Sequence, residues 1–240
     1  MIPQEISPGL LIQGFTAPLK LSDFKLAAFD MDSTLINIEC VDEIADAAGR
    51  KEEVAAITEA AMRGEITDYK DSLRRRVALL EGVPVSAMEE VFEKRLQLNP
   101  GAEALTKALK AAGCKLLLVS GGFTFFTDRI QDRLHMDFAR SNVLEISNGK
   151  LTGRMVDQPW GDICDGEEKR KMLLQTCADL GITAKQAMAV GDGANDLPMM
   201  HACSEAGGLS VAFHAKPKVR SQAMVAINSG GLDRVLSLFA

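Results

Sequence analysis

Short apolar runs alternate with helical patterns along most of the sequence, and this alternation constrains the fold more than any other feature. Five apolar runs each close on small or acidic residues. They lie at 26–30, 115–121, 187–192, 209–213 and 224–227. Helical patterns, such as 101–112 and 168–180, separate them. Continuous apolar strands between helices are typical of a parallel sheet covered on both faces. The sequence therefore predicts an α/β protein with a doubly wound, Rossmann-like parallel-sheet core.

Residues 38–97 have a different sequence pattern, in which three or four helical, charge-rich stretches follow one another without a convincing strand. We interpret this segment as a small helical cap domain, inserted after the first core strand. It ends at the Asn-Pro-Gly of LNPGAE, which is a strong helix breaker. The core then comprises residues 25–37 and 98–240, with a hairpin expected at 138–156. Residues 1–24 are an N-terminal extension without an assignment.

Composition narrows the classes of partner. A chain of 240 residues with 47% hydrophobic content can build one large core, or a core and a small second unit. The net charge of -6 leaves no extended basic surface, so neither nucleic acid nor a membrane is an expected partner. Five cysteines, an odd number without a CxxC pair, predict a reduced chain in the cytoplasm. Nothing in the composition predicts an oligomeric state.

Polar residues follow three of the predicted strands, at the edge where open α/β sheets bind their ligands. The first strand ends in Asp30 within DMDST, the second in Ser120 within VSGGF, and the third in Asp192 within GDGAND. Clustered carboxylates need compensation, because two unit charges about 4 Å apart repel by roughly 4 kcal/mol at an effective dielectric of about 20. Mg²⁺ binds one or two carboxylates together with water and phosphate oxygens. We therefore predict a Mg²⁺ site at Asp30 and Asp192, suited to phosphoryl chemistry.

One further cation is expected beside a phosphoryl group, and helical spacing selects Lys169. At about 100° per residue, Lys169 lies close to the apolar stripe of Leu173, Cys177 and Leu180, whereas Lys171 lies on the opposite face. A lysine in a first helical turn opposes the helix dipole, so local stability does not account for it. We predict that Lys169 points inward and binds phosphate.

The same rotation distinguishes three consecutive arginines in SLRRRVALL. Arg76 alone flanks the apolar stripe of this helix closely, whereas Arg74 and Arg75 point elsewhere. A planar guanidinium can bind a carboxylate through two hydrogen bonds. Met62 and Tyr69 are candidates to line an apolar lid over the substrate.

Each motif also has a purely structural interpretation. Asp32, Ser33 or Thr34 could cap a helix, the paired glycines could form a turn, and GDGAND could be a polar loop. Their occurrence in order at strand ends, with a lysine between the second and third, favours the functional interpretation. A calcium-binding loop is excluded, because the EF-hand spacing and its distal glutamate are missing.

These motifs resemble those of the haloacid dehalogenase (HAD) superfamily of phosphohydrolases over residues 25–240. The stretches DSTLINIECVDEIA, SLRRRVALL, VSGGFT and VAFHAKP are similar to the phosphoserine phosphatase branch of that superfamily. The resemblance implies a HAD-type core and a Mg²⁺-dependent phosphomonoester hydrolase that forms an aspartyl phosphate and releases serine and phosphate, as in serine biosynthesis. The regulatory domain of some relatives does not fit into residues 1–24, so control by serine is not expected.

The resemblance also assigns roles. It implies that Asp30 is the nucleophile, and that Asp32 is the acid/base and a metal ligand through its backbone carbonyl. Asp192 is then the third protein ligand of the metal, and Asp196 supports the site from behind. The implied substrate-binding residues are Glu39 for the ammonium group, Arg76 for the carboxylate, and Ser120, Gly121, Lys169 and Asn195 for the phosphate. Spacing alone does not separate Glu39 from Asp42 or Glu43. An acid/base at Asp32 needs a raised pKa, which a neighbouring negative charge provides.

Alternatives stay open. A receiver-type signalling domain also places an acidic cluster, a hydroxyl and a lysine around a phosphorylated aspartate, but it is shorter and lacks the second acid. The core motifs do not separate phosphoserine from phosphothreonine or other small phosphate esters. They do not separate hydrolysis from transfer of the phosphoryl group to a second alcohol.

Overall fold

A computed structural model of the protein describes residues 3–62 and 65–240, with the side chains of residues 61 and 62 outside the described part. Within these residues, nine strands form one sheet. The strands are β1 (Gln4–Ser7), β2 (Leu10–Ile12), β3 (Leu26–Phe29), β4 (Lys115–Phe123), β5 (Phe138–Ser147), β6 (Lys150–Val156), β7 (Ala187–Gly191), β8 (Leu209–Phe213) and β9 (Val225–Ile227). Their order across the sheet is β1-β2-β9-β8-β7-β3-β4-β5-β6.

The centre of the sheet is parallel, from β9 through β8, β7, β3 and β4 to β5. Phe29, the last residue of β3, is in register with Leu118 of β4 and Val190 of β7. The chain therefore leaves these three neighbouring strands at the same edge of the sheet. This register brings the predicted strand-end residues to one place.

Helices cover both faces of the sheet. They are α1 (Cys40–Ala47), α2 (Lys51–Met62), α3 (Tyr69–Ala78), α4 (Val85–Lys94), α5 (Ala102–Ala111), α6 (Thr124–Leu134), α7 (Gly166–Asp179), α8 (Leu197–Ala206) and α9 (Pro217–Arg220). Alternate residues of β3 divide between two hydrophobic clusters, with Ala27 and Phe29 in one and Leu26 and Ala28 in the other. The predicted doubly wound α/β core is confirmed. No helix within the described ranges is both long enough and apolar enough to cross a membrane.

Among the described residues, four helices, α1 to α4, lie between β3 and α5, where the sequence predicted a helical insertion. They pack on one another and on β6 through α3. Ile44, Val77 and Val91 are buried in the same hydrophobic cluster as Phe29 of the sheet. The assignment of residues 38–97 as a separate cap domain stays a prediction.

The N-terminal extension, which the sequence left without an assignment, joins the sheet. β1 pairs with β2, and β2 pairs antiparallel with β9, so this hairpin extends one edge of the sheet. The strands are only four and three residues long, and β1 is mostly exposed, so the apolar pattern is too weak to predict them. At the other edge, β5 and β6 form the predicted hairpin, with positive φ at both Asn148 and Gly149 of its turn.

Candidate active site

A cavity of about 540 Å³ lies at the carboxyl ends of the parallel strands. Eight of the ten predicted site residues line it, namely Asp30, Asp32, Glu39, Arg76, Ser120, Gly121, Asp192 and Asn195. The other two, Lys169 and Asp196, have no exposed surface and lie behind the wall. Lys169 contacts the carboxylate of Asp30, which lines the cavity. Its contact with phosphate stays a prediction.

Asp30 follows β3, and its backbone N–H donates to the carbonyl of Val190 at 3.0 Å. Its Oδ1 accepts a hydrogen bond from Lys169 Nζ at 2.7 Å. Burial and the charge of Asp196 raise the pKa of Asp30 to about 7, although Lys169 acts in the opposite direction. The negative charge of Asp30 therefore needs more compensation than one buried lysine supplies.

Lys169 reaches this position because helix α7 begins just before it. Asp165 caps the helix, with its Oδ1 accepting from the N–H of Glu168 at 2.9 Å. The side chain of Lys169 points inward, as the helical spacing predicted, and its Nζ also donates to Asp196 Oδ1 at 2.7 Å. Burial by itself would lower the pKa of Lys169, but Asp196 and Asp30 outweigh it and raise the pKa well above its usual value.

Asp196 connects this ion pair to the loop after β7. Its Oδ2 accepts the backbone N–H groups of Asp192 at 3.1 Å and Gly193 at 3.0 Å. A Cβ on Gly191 would collide with the carboxylate of Asp196, so the first glycine of GDGAND is required for this close approach. Asp196 therefore holds the loop that presents Asp192 to the cavity.

Asp32 lies in the tight turn Met31–Leu35, where Ser33 adopts a left-handed conformation with φ 56°. Its carboxylate accepts two hydrogen bonds from Cys40, one from the backbone N–H and one from Sγ, both at 3.1 Å. Burial, the charge of Glu39 and the charge of Asp30 raise the pKa of Asp32 well above its usual range. A carboxyl group in this environment can carry a proton.

Three carboxylates, those of Asp30, Asp192 and Asp196, offer oxygens within 4.8 Å of one another. Burial and the charges of Asp30 and Asp196 raise the pKa of Asp192 to about 8. Within this group, both oxygens of Asp196 accept hydrogen bonds from the protein, whereas Asp30 and Asp192 line the cavity. An all-oxygen donor set with uncompensated negative charge fits a hard divalent cation at Asp30 and Asp192.

The end of β4 is shaped by its glycines. Ser120 Oγ accepts the N–H of Gly122 at 2.9 Å, and the carbonyl of Gly121 accepts Asn142 Nδ2 at 2.8 Å. A Cβ on Gly121 would collide with the hydroxyl of Tyr69 on α3. Glycine at 121 therefore allows the helical segment to approach the strand end.

Helix α3 presents Arg76 to the cavity, as the rotation predicted, whereas Arg74 and Arg75 are exposed. Arg76 Nε and Asp42 Oδ1 are buried and have no hydrogen-bond partner among the described residues. Arg74 and Lys70 instead pair with Asp162, outside the cavity. An arginine that lines a cavity, with a buried Nε that has no partner among the described residues, is suited to an anionic ligand group.

Glu39 lies at the N-cap of α1, with the extended backbone angles φ -99° and ψ 109°. Its Oε1 accepts the Ser33 hydroxyl at 2.6 Å. The helical rotation could not place Glu39, because the helix begins one residue later.

Sequence reasoning did not single out Asp42, although Glu39 and Asp42 are three residues apart and both line the cavity. Helical periodicity does not pair them, because Glu39 precedes the helix and has an extended backbone. Tyr69 lines the cavity, as suggested for the lid. The side chain of Met62 lies outside the described residues.

Comparisons with known proteins agree with this geometry. Residues 24–204 match the family model for haloacid dehalogenase-like hydrolases. The chain is 75% identical to a phosphoserine phosphatase of Polaromonas sp. (strain JS666), over 99% of each chain. A substrate-bound phosphoserine phosphatase complex has a TM-score of 0.80, with 38% identity over 90% of this chain and 99% of the other. A phospho-aspartyl intermediate analogue of phosphoserine phosphatase matches with the same values. The chain therefore belongs to the haloacid dehalogenase-like hydrolase family.

Proposed function

We propose that the protein is a Mg²⁺-dependent phosphoserine phosphatase that releases L-serine and phosphate. The observation that carries the proposal is the unequal environment of two acids at the end of β3. Asp30 bonds to an ammonium group, whereas Asp32 bonds to the neutral donors of Cys40. One acid is thereby suited to act as a charged nucleophile and the other as a proton carrier. The names of the relatives support the same activity.

Asp30 attacks phosphorus, so that a bond forms from its carboxylate oxygen while the ester P–O bond breaks. Asp32 donates its proton to the departing serine oxygen. Asp32 then accepts a proton from the water that attacks the aspartyl phosphate, which releases phosphate and restores Asp30. Asp30, Asp192 and the backbone carbonyl of Asp32 would hold Mg²⁺, which when bound neutralises charge on the carboxylates and the phosphoryl oxygens.

Two groups on the helical segment account for the amino-acid part of the substrate. Arg76 would bind the carboxylate, and its buried Nε, which has no hydrogen-bond partner in the described part of the chain, would gain one. Glu39, held by Ser33, would bind the ammonium group. Ser120, Gly121 and Asn195 line the end of the cavity formed by the strand-end loops and would contact the phosphate. Residues 38–97 would act as the cap that closes the cavity and excludes water.

The cytoplasm is the cellular compartment in this proposal. Release of L-serine would serve serine biosynthesis in the cytoplasm. All five cysteines are buried and free, which supports a reducing compartment.

The test is phosphate release from a panel of small phosphomonoesters, with and without Mg²⁺. Phosphoserine should give a high kcat/KM, and phosphoethanolamine a low value because it lacks the carboxylate. Treatment with EDTA should abolish release, and added Mg²⁺ should restore it. Absence of Mg²⁺-dependent release from phosphoserine, or equal release from phosphoethanolamine, would contradict the proposal.

A further inference from the structure

Both oxygens of the Asp32 carboxylate are held by one residue, Cys40. The Cys40 thiol donates to Asp32 Oδ1 at 3.1 Å, and the Cys40 backbone N–H donates to Asp32 Oδ2 at 3.1 Å. Cys40 has no exposed surface and does not line the cavity. It therefore lies behind Asp32, and its two hydrogen bonds connect it to the site through that carboxylate.

The turn that carries Asp32 explains why such support is needed. Asp32 follows strand β3, and the next residue, Ser33, is left-handed with φ 56°, so the chain reverses at this point. An aspartate in a tight turn keeps two side-chain torsions that the backbone does not determine. A general acid must lie within hydrogen-bond reach of the leaving oxygen, and a misplacement of about 1 Å can cost about a hundredfold in rate. Two donors at 3.1 Å, one on each oxygen, restrict both torsions.

We propose that Cys40 is a positioning residue for the acid/base, and that its thiol hydrogen bond aims the Asp32 carboxyl group at the leaving oxygen. The inference rests on the acid/base role of Asp32 in the proposed function. Cys40 is the first residue of helix α1. The position of the acid is therefore tied to the helical segment, and a movement of α1 away from β3 would release Asp32.

The thiol contact can be removed by substitution, while the backbone contact remains. Cys40→Ala deletes the Sγ donor, and Cys40→Ser keeps a donor on a side chain of similar size. The buried Cys114 provides a control, because it lies just before β4, at the opposite end of that strand from the cavity, and Cys114→Ala also deletes a buried thiol. If Cys40→Ala does not fold, Cys40→Thr and Cys40→Val replace it. Their side chains have the same shape and leave no cavity, but only that of Cys40→Thr has a hydroxyl donor.

Leaving-group dependence separates positioning of the acid from a general structural role. Phosphoserine has a poor alkoxide leaving group that needs a proton, whereas p-nitrophenyl phosphate has a good leaving group that needs little help. The measurement is kcat/KM for both esters, since this ratio reports the steps up to aspartyl phosphate formation. Ethyl phosphate, which has an alkoxide leaving group but no ammonium group for the adjacent Glu39, should lose as much as phosphoserine in Cys40→Ala. Cys40→Ala should lower kcat/KM for phosphoserine about tenfold and for p-nitrophenyl phosphate by less than about threefold. Cys40→Ser should retain at least about a third of the native value for phosphoserine.

Three results would overturn the inference. They are an equal loss for both esters in Cys40→Ala, no loss for either ester, and a loss in Cys40→Ser as large as in Cys40→Ala. Cys114→Ala should leave the ratio of the two kcat/KM values unchanged.

The same assay on Asp32→Asn separates this inference from the proposed function. If Asp32→Asn lowers kcat/KM equally for both esters, the acid/base role itself fails. If Asp32→Asn is selective for phosphoserine but Cys40→Ala is not, only the positioning role fails.

Discussion

Lys169 Nζ lies 2.7 Å from Asp196 Oδ1, and neither side chain has exposed surface. The same ammonium group lies 2.7 Å from Asp30 Oδ1. This buried network joins three parts of the chain that are far apart in sequence, namely the end of β3, the first turn of α7 and the loop after β7. Removal of one member of this network would therefore leave buried polar or charged groups with fewer partners.

Asp196→Ala should lower the free energy of unfolding by about 3–5 kcal/mol, because Lys169 would lose one of its two carboxylates and the backbone N–H groups of Asp192 and Gly193 would lose their acceptor. The measurement is urea unfolding at pH 7. The matched control is the exposed Asp157→Ala, which should change the free energy by less than about 0.5 kcal/mol. Equal effects of the two variants would contradict a stabilising role of the network.

Asp30→Asn should abolish turnover and prevent formation of a covalent phosphoenzyme, because an amide oxygen is a poor nucleophile. The variant should stay folded, because the amide oxygen can still accept from Lys169 Nζ and the charge of Asp196 still balances that of Lys169. Phosphate release and mass spectrometry of the acid-quenched protein measure the two outcomes. The control is the exposed Asp157→Asn, which should retain native turnover. Phosphorylation of the Asp30→Asn protein would contradict the role of Asp30 as the nucleophile.

Arg76→Ala should lower kcat/KM for phosphoserine by roughly thirty- to several-thousand-fold, because loss of one partner of a desolvated charge pair costs about 2–5 kcal/mol. Activity on phosphoethanolamine should change much less, since that ester has no carboxylate. The matched control is Arg75→Ala on the same helix, where Arg75 is exposed and pairs with Asp71. Similar losses in the two arginine variants would exclude Arg76 as the carboxylate-binding residue.

Stability should depend on pH through Asp137, remote from the cavity. Partial burial alone would raise the pKa of Asp137, but hydrogen bonds from Lys115 at 2.8 Å and the N–H of Leu116 at 2.9 Å outweigh it and lower the pKa. The folded-state pKa therefore lies below the unfolded-state value of about 3.9. The stabilisation is fully present above that value and is lost as pH falls through the folded-state pKa.

Asp137→Asn should therefore reduce the free energy of unfolding by about 1 kcal/mol at pH 7, and by a smaller amount below about pH 4. Urea unfolding of the native protein and the variant at both pH values measures this difference. A deficit that is the same at both pH values would show that the charge of Asp137 is not responsible. The exposed Asp157→Asn should show little deficit at either pH.

Much of the site could be predicted because local patterns carried the information. Strand ends are visible in sequence as the places where apolar runs stop, so Asp30, Ser120 and Asp192 were predicted to meet, and all three line one cavity. Helical rotation predicted the inward direction of Lys169 and the position of Arg76 among three arginines. The same method failed for Glu39, because it precedes α1 and its extended backbone does not follow the 100° rotation.

The sequence by itself determined the α/β class, the strand and helix segments of the core, and the residue types that converge at the strand ends, since these depend on periodicity and on where apolar runs stop. Only the tertiary structure decided the strand order, the addition of β1 and β2 to the sheet edge, and the contacts of Cys40 with Asp32 and of Asp196 with Lys169. Those contacts depend on side-chain packing and on pairing between distant segments. No local periodicity encodes them, because their partners come together only when the chain is folded.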